Sequence, residues 1–445
     1  MFVVDNALGF VAVLAIILFA TKSLGLIFRH YGLPQVLGFI IAGILIGPAI
    51  FGDFCGFSII GFDTGNYFSL FKLVTENGKN ILLDTFSKIG VLLLMFAVGL
   101  ETNLQELKHT GLASTLVACS GVAVPLLFGF LISLPFSNIG LGVENLYRCI
   151  FIGTILTATS VAVTVSVLKE LGKINTKLGT TIVSAAIIDD VIGIVLLSIV
   201  TGFAKTGEVD PDMNAFDAFK ATPYGTVIMI VAFFVVAIAL GWVVSKAFKW
   251  LDKRWPSKIR LSIYSLVVCF MYSWLAEEIF GVADITGAFL AGIVLSTDHR
   301  ASVYIDSKID ASSRSIFSPV FFANIGISSI SFMGMRAEIL LFAFLTVVLG
   351  ILGKIIGCGV VCKAFKYSWR ESAIGGVGMM ARGEVALIVT QAVTSTSLGA
   401  NALGSEFMLM TVLLILVSSI LTPILLKVLY KGVKEPEPDL IDPDD

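Results

Sequence analysis

The chain has 445 residues, of which 57% are hydrophobic and 14% are charged, and its formal net charge is −2. A soluble globular chain usually carries about 25% charged residues. The composition therefore excludes an ordinary soluble domain and predicts a polytopic membrane protein. The small net charge gives no indication of a nucleic-acid partner, which a strongly basic surface would favour.

Long apolar runs follow one another along the whole chain, and a transmembrane helix needs about 20 such residues. We predict an all-α membrane domain over residues 1–430 with about 13 transmembrane helices. The runs cover approximately residues 5–28, 34–51, 82–100, 111–134, 147–168, 178–204, 223–247, 259–280, 282–297, 316–333, 338–362, 371–397 and 406–430. The acidic, proline-rich tail 431–445 is predicted to be disordered.

Lys and Arg residues are concentrated in alternate loops. One such loop holds Lys169, Lys173 and Lys177, and another holds six basic residues over positions 246–260. Basic loops remain in the cytoplasm. With an odd number of spans, this asymmetry predicts a cytoplasmic C-terminus and an N-terminus outside.

An internal repeat is visible between residues 32–44 and 281–293, whose glycines match at three positions. Residues 95–99 also resemble residues 322–326. Pairing the first six spans with the last six gives repeats over about 5–204 and 259–430, with 223–247 as a linker helix. The two repeats enter the membrane from opposite sides, so they are inverted. Many secondary transporters have this architecture, with the binding site at the midplane.

Two spans at equivalent places in these repeats contain polar interruptions. Unwound backbone at membrane depth is tolerated only where it is buried in protein or lines a cavity. We therefore predict two broken helices that cross at the centre of the domain. The alternative is that the hydroxyl groups bond back to their own helix carbonyls. The interrupting residues of interest are Thr157, Thr159, Ser160, Arg382 and Glu384.

Asp189 and Asp190 are the only charged residues in the apolar run 178–204. A charge at membrane depth costs ~2.5–3.5 kcal/mol on insertion scales, so two adjacent carboxylates indicate an ion or proton pathway. Neighbouring helical residues point about 100° apart, so one carboxylate can pair with a fixed cation while the other faces a cavity. Lys354 and Arg382 are the buried cations available for that pairing. A purely structural salt bridge is the alternative for Lys354.

A buried carboxylate can bind a proton and a cation in turn. Burial disfavours its ionised form, which lets it take up a proton near neutral pH, and its oxygens are hard ligands for a small cation. Protons and cations would compete for it. With access alternating between the two sides of the membrane, that competition is sufficient for antiport and requires no cofactor.

These motifs together resemble the monovalent cation:proton antiporter-2 family of bacterial membrane transporters. The similarity is carried by Asp189-Asp190 within 185–193, by Lys354, by Ala-Arg382-Gly-Glu384 and by the opening segment 32–48. It covers essentially the whole chain. It implies a thirteen-helix fold with a dimerisation domain and a moving core domain, working as a homodimer in the lipid of the bacterial cytoplasmic membrane.

The resemblance also implies roles for individual residues. Asp190 is expected to bind the cation and the proton, and Asp189 is expected to pair with Lys354. Thr159 and Ser160 are expected to help line the ion site. Independently of the resemblance, we expect Arg382 and Glu384 to have a structural role and, with Thr157, to support the crossing helices. A double Asp with a basic partner resembles the electrogenic sodium/proton type, so the expected activity is Na⁺/H⁺ exchange, with Li⁺ or K⁺ as further candidate cations.

Competing interpretations predict different behaviour. A K⁺/H⁺ antiporter of the same family is one alternative, and a sodium-coupled organic solute symporter, which would need a substrate cavity, is another. A channel would pass uncoupled current. An intramembrane aspartyl protease is a poor match, because its two carboxylates must share a proton across ~3 Å and adjacent helical residues point apart. The sequence therefore predicts a transporter and not an enzyme.

Overall fold

The structure is a computed structural model of the chain. The structure describes residues 6–31, 35–47, 75–76, 79–101, 111–135, 143–174, 176–204, 215–220, 222–254, 258–296, 305, 309, 313–329, 337–394 and 406–431. The predicted disordered tail, from residue 432 onward, lies outside this part of the chain.

The described fold is helical, apart from a two-stranded antiparallel ladder of β1 (Thr75–Glu76) and β2 (Lys79–Asn80). The first nine helices are α1 (Asn6–His30), α2 (Gln35–Ile46), α3 (Ile81–Glu101), α4 (Leu112–Ser133), α5 (Val143–Ile155), α6 (Val161–Glu170), α7 (Lys177–Ala204), α8 (Ala215–Lys220) and α9 (Pro223–Arg254).

The described part of the second half of the chain is also helical. Its helices are α10 (Lys258–Trp274), α11 (Asp284–Ser296), α12 (Ser318–Ser329), α13 (Ala337–Ala364), α14 (Trp369–Gly378), α15 (Glu384–Thr394) and α16 (Glu406–Tyr430). A π-helical turn, Leu275–Ile279, extends α10, and another, Ser313–Phe317, precedes α12.

Each predicted span corresponds to a helix or, for 147–168 and 371–397, to two short helices separated by a break. Seven of the described helices are long and apolar enough to cross a membrane, and shorter apolar helices accompany them. The all-α, multi-pass fold is therefore confirmed, whereas the total of 13 crossings stays a prediction.

The helices pack in two groups. The first unit contains α1–α3 and α10–α12, with its main contacts between α3 and α11, α1 and α2, and α2 and α12. The second unit contains α4–α7 and α13–α16, with its main contact between α4 and α13. Helix α9 contacts both α7 of the second unit and α11 of the first, so it lies at the boundary between them.

Glycine allows very close helix crossings in the first unit. A Cβ atom at Gly43 of α2 would overlap the carbonyl oxygen of Ala323 in α12, and one at Gly292 of α11 would overlap that of Phe96 in α3. In a membrane, where lipid is as apolar as the helices, such small residues provide the close packing that holds helices together.

A second glycine also allows close approach at each of these two crossings. A Cβ at Gly326 would overlap the carbonyl oxygen of Ile40, and one at Gly99 would overlap that of Phe289. Gly99 aligns with Gly326 in the sequence repeat, and Ile40 aligns with Phe289. The α2–α12 and α3–α11 crossings therefore use equivalent positions, with the partners exchanged.

Candidate functional site

Two broken helices meet inside the second unit. The break between α5 and α6, residues 156–160, and the break between α14 and α15, residues 379–383, are both buried. The backbone N–H of Ser160 donates to the carbonyl oxygen of Ala381 at 2.8 Å. The hydroxyl of Thr164 donates to the Gly378 carbonyl at 2.6 Å. Each broken helix thus supplies a hydrogen-bond partner to the backbone of the other.

The local sequence explains where the helices stop. Helix α14 begins with a capping box, in which the Ser368 hydroxyl accepts from the Glu371 N–H and the Glu371 carboxylate accepts from the Ser368 N–H. At its other end the N–H groups of Met379 and Met380 bond three residues back instead of four, a tightening common at helix termini. Gly383 then permits close contact, because a Cβ there would lie 2.6 Å from the Ser160 hydroxyl oxygen.

Arg382 holds the crossing together. Its guanidinium Nη1 donates to the carbonyl oxygen of Ala158 at 2.6 Å, and its Nη2 donates to Leu156 at 2.6 Å and to Gly350 of α13 at 3.1 Å. The side chain is fully buried. The Leu156 and Ala158 carbonyls follow the C-terminal end of α5, where the helix dipole is negative, so a cation is favourable there.

Helix α16 fixes the backbone of the same residue. The Arg382 N–H donates to the Ser418 hydroxyl at 3.1 Å, and the Ser419 hydroxyl donates to the Arg382 carbonyl at 2.8 Å. Three elements therefore contact Arg382 from outside its own break: the other break, α13 and α16. The sequence prediction gave Arg382 a supporting role but did not identify these partners.

Asp189 and Lys354 form a buried ion pair between α7 and α13. Lys354 Nζ lies 2.6 Å from Asp189 Oδ1, and the two side chains are 0% and 1% exposed. Such a pair needs close, dry packing around it. A Cβ at Gly121 of α4 would lie 3.5 Å from Lys354 Nζ and 3.6 Å from Asp189 Oδ1. Gly121 therefore forms part of the wall of this pair.

The packing of α4 against α13 positions Lys354. The Ser120 hydroxyl donates to the Gly357 carbonyl at 3.0 Å. A Cβ at Gly357 would meet the Ser120 carbonyl at 2.7 Å, and one at Gly353 would meet the Pro125 Cα at 3.1 Å. Small residues on both sides of Lys354 thus bring α13 against α4, which also contacts α7.

Asp190 differs from its neighbour in surroundings. Asp189 is buried, whereas Asp190 is half-buried, with its Oδ1 atom buried. This difference follows from the rotation of about 100° between successive helical residues. Helix α7 contacts α5, α6, α14 and α15, which are the four arms of the two broken helices. The Asp189–Asp190 pair therefore belongs to the helix that packs beside the crossing.

The remaining predicted residues have different positions. Thr159 is buried, and its hydroxyl lies 3.5 Å from the Met379 carbonyl oxygen, a long contact across the crossing. The Thr157 hydroxyl donates at 2.8 Å to the backbone carbonyl of Thr154, in the last turn of α5. Glu384 begins α15, and its side chain lies outside the described part of the chain.

Several contributing residues were not singled out in the sequence. Gly350 contributes a backbone carbonyl, and Gly121 has no side chain that would crowd the ion pair. Neither residue has a side-chain group that a sequence motif could identify. Ser418 and Ser419 carried a signal, since two adjacent hydroxyls lie in an apolar span. Their partner, a backbone amide and carbonyl in a different helix, could be found only from the fold.

The site has the elements of a binding centre for a small cation or a proton. It combines carboxylates at membrane depth, fixed positive charges, and backbone carbonyls and hydroxyls released from regular helix. Unwound carbonyls and half-helix ends are the groups that coordinate ions in other transporters built from broken helices.

The family model and the similar proteins indicate the same transporter family. The family described as "Sodium/hydrogen exchanger, transmembrane" matches residues 13–432. The Na⁺/H⁺-K⁺ antiporter GerN of Bacillus cereus is 34% identical over 426 residues, covering 95% of this chain and 96% of that protein. An Na⁺/H⁺ antiporter of Enterococcus hirae is 33% identical, covering 95% of this chain and 99% of that protein.

A solved structure shares the fold. The sodium proton antiporter MjNhaP1 of Methanocaldococcus jannaschii superimposes with a TM-score of 0.65 at 16% sequence identity. The match covers 96% of this chain and all of that one. At this identity the likeness supports the helical architecture alone.

Proposed function

We propose that this chain, which belongs to the sodium/hydrogen exchanger family, is a secondary active antiporter that moves Na⁺ out of the cell in exchange for H⁺. The family consists of transporters and not of enzymes. The observation that carries the proposal is the buried Asp189–Lys354 ion pair, followed directly by Asp190, beside two crossed helix breaks. The relative from Bacillus cereus is named an Na⁺/H⁺-K⁺ antiporter, and the one from Enterococcus hirae is named an Na⁺/H⁺ antiporter.

In the proposed cycle, Asp190 binds either the cation or the proton. Its half-buried side chain is accessible to an ion, and its carboxylate can hold only one of the two at a time. Thr159, Ser160 and the loosened backbone of the first break supply further oxygen ligands. The cation leaves on one side of the membrane and a proton replaces it for the return, so neither crosses alone.

The Asp189–Lys354 pair provides a second place for a proton. If the pair opens when the cation binds and closes when it leaves, one proton can be released and taken up there in addition to the one at Asp190. Exchange would then move net charge, which is what electrogenic antiport requires. Arg382 remains fixed by three carbonyl groups and supports the crossing.

The architecture that we propose has two inverted repeats, at about 5–204 and 259–430, joined by the linker helix 223–247. The exchanged glycine contacts of the α2–α12 and α3–α11 crossings support this arrangement, because a two-fold axis relating the repeats would produce such pairs. We further propose a homodimer in the lipid bilayer, with a moving core made of the second unit.

The proposed location is the bacterial cytoplasmic membrane, with the N-terminus outside and the C-terminus in the cytoplasm. The distribution of Lys and Arg over alternate loops supports this orientation. Fusion of a reporter that is active on only one side of the membrane to the C-terminus tests it. Activity of a reporter that works only outside the cytoplasm would contradict the orientation.

Proteoliposomes containing a pH-sensitive dye test the activity. A proton gradient is imposed, and Na⁺, Li⁺ or K⁺ is added in turn. We expect cation-dependent proton movement with Na⁺ and none with choline. A response to K⁺ alone would instead identify a K⁺/H⁺ antiporter. No response to any of the three would contradict antiport and favour a sodium-coupled solute symporter.

The site assignment is tested by Asp190→Asn in the same assay. We expect exchange to be lost while the protein remains folded, since the amide can bind neither a proton nor a cation as the carboxylate does. Asp84→Asn is the matched control, because Asp84 is a carboxylate of α3 that accepts a hydrogen bond from Asn324, within the first unit. Normal exchange by Asp190→Asn would overturn the assignment.

A further inference from the structure

A pair of buried hydroxyl groups connects the two units. Ser198 of α7 and Thr286 of α11 have their oxygen atoms 2.9 Å apart, and both side chains are fully buried. The Ser198 hydroxyl also lies 2.8 Å from the Ile194 carbonyl, to which it donates its one proton. Thr286 is therefore the donor in the contact with Ser198.

The surroundings of this pair are apolar. The neighbouring positions Leu197 and Val200 of α7, and Ile285 and Ala288 of α11, are buried members of one hydrophobic cluster. A hydroxyl in such surroundings needs its partner, because an unsatisfied buried polar group costs roughly 1–3 kcal/mol. The contact is therefore stable while α7 and α11 are together, and separation is favourable only if water can reach both hydroxyls.

Charged side chains lie at the start of α11, close in sequence to Thr286. Asp284, two residues before Thr286, lies 3.2 Å from Lys88 Nζ, and Glu277 lies 3.0 Å from the same nitrogen. The Lys88 and Glu277 side chains are 55% and 42% exposed. The start of α11 is therefore on a charged face of the protein, and Thr286 lies just below it.

Asp190 lies on the other side of the hydroxyl pair. It precedes Ser198 by eight residues in α7, which corresponds to about 12 Å along a helix. The hydroxyl contact therefore lies between the charged start of α11 and Asp190, the carboxylate that we propose binds the ion.

We propose that Ser198 and Thr286 are positioning residues that close one access path to Asp190 by holding α7 against α11. The contact breaks when the transporter opens toward the charged face at the start of α11, and it forms again when that side closes. This inference rests on the proposed antiport function, since it requires α7 and α11 to separate during each cycle.

A second hydroxyl pair provides a matched control. Thr390 of α15 and Thr411 of α16 are also buried, with oxygen atoms 3.0 Å apart. Both helices belong to the second unit. Their contact also joins two buried hydroxyls, although each of these hydroxyls has a carbonyl acceptor in its own helix. It does not join the two units, so it has no reason to open during transport.

The test is a reversible covalent lock. Ser198→Cys with Thr286→Cys is reconstituted in proteoliposomes, oxidised, and assayed for Na⁺-dependent proton movement. The cross-link is quantified by mass spectrometry. We expect exchange to fall in proportion to the cross-linked fraction and to return on reduction. Thr390→Cys with Thr411→Cys should form its cross-link and continue to exchange when oxidised.

Several outcomes would overturn the inference. Undiminished exchange by the cross-linked Ser198→Cys/Thr286→Cys protein would show that this contact need not open. Failure to cross-link under conditions that cross-link the control pair would contradict the contact itself. If the unsubstituted protein and the reduced variants moved no cation, the proposed antiport function would fail, which is a different result.

Thr286→Val provides a second readout without a cross-link. Loss of a hydrogen bond of about 1 kcal/mol would raise the open population roughly fivefold when that state is minor, and it would lower the apparent KM on that side by a similar factor. The apparent KM for Na⁺ is measured in right-side-out and inverted vesicles, with Thr390→Val as the control. An unchanged KM on both sides would contradict the gate.

Discussion

The two kinds of helix crossing in this protein differ in whether the backbone remains a regular helix at the crossing. In the first unit, α2 and α12, like α3 and α11, remain regular helices and approach through glycine. Their backbone hydrogen bonds stay within each helix. In the second unit, the helix pairs α5–α6 and α14–α15 are interrupted at the crossing. The two broken helices form hydrogen bonds with each other there.

The difference explains why we propose that the ion binds in the second unit. A glycine crossing leaves no free polar group, so it serves as an apolar, tightly packed scaffold. A crossing of breaks exposes carbonyl and N–H groups that must be satisfied by partners, which Arg382, Thr164 and the serines of α16 provide. Only a crossing of broken helices has backbone groups that can also bind an ion. We therefore expect substitutions at the glycine crossings and at the broken helices to act through different interactions.

The largest effect is expected from Arg382→Met. The change leaves the carbonyls of Leu156, Ala158 and Gly350 without their donor, and each unsatisfied buried group costs about 1–3 kcal/mol. We expect little folded protein in detergent, measured by size-exclusion chromatography and by thermal unfolding.

Arg370→Ala is the control for that prediction. Arg370 also donates to two carbonyls, those of Leu429 and Lys431 at the end of α16, but these contacts are exposed. Water can replace the guanidinium there, so the melting temperature should change little. Equal loss of folded protein for the two arginine variants would show that the crossing does not depend on its buried donor.

A slightly smaller effect is expected from Lys354→Ala. Removing one partner of a buried ion pair leaves an uncompensated charge and costs about 3–5 kcal/mol. Replacing both charges, with Asp189→Asn and Lys354→Gln, should recover much of the melting temperature. The double variant should nevertheless lose the net charge movement, measured as current on solid-supported membranes. A double variant no more stable than Lys354→Ala would contradict this account of the ion pair.

The scaffold crossings should respond to added volume. Gly43→Ala and Gly292→Ala each insert a methyl group against a carbonyl oxygen of the facing helix, and overpacking costs about 1–3 kcal/mol. We expect similar falls in melting temperature for both variants, since their positions are equivalent.

Gly193→Ala in α7 separates this steric effect from helix propensity, because a Cβ at Gly193 meets no atom within 4 Å. It should leave the melting temperature unchanged or raise it. A large difference between Gly43→Ala and Gly292→Ala would argue against equivalent crossings.

Much of the fold could be predicted from composition and pattern. The apolar runs are long, and the all-α arrangement of helices follows from them. The break positions were indicated by polar residues, such as Thr159 and Arg382, in otherwise apolar spans. Asp189, Asp190, Lys354 and Arg382 stood out because membrane-buried charges are rare and require partners. The pairing of Asp189 with Lys354 was an expectation from the family resemblance.

The remaining contacts depend on tertiary geometry. Backbone carbonyls, such as that of Gly350, have no sequence signature, so the partners of Arg382 could not be identified in advance. The glycines were visible as a repeat, but the carbonyl that each one meets became apparent only when the helices were packed. The hydroxyl pair of Ser198 and Thr286 was missed for the same reason, since isolated hydroxyls in apolar spans usually bond to their own helix.

The dependence of the apparent KM for Na⁺ on pH tests the central claim most directly. If the cation and the proton compete for Asp190, lowering the pH should raise the apparent KM, approaching about tenfold per pH unit where the proton dominates, by mass action at one site. The maximal rate should change much less over the same interval. An apparent KM that stays constant across that range would show that the two ions occupy separate sites and would contradict the account.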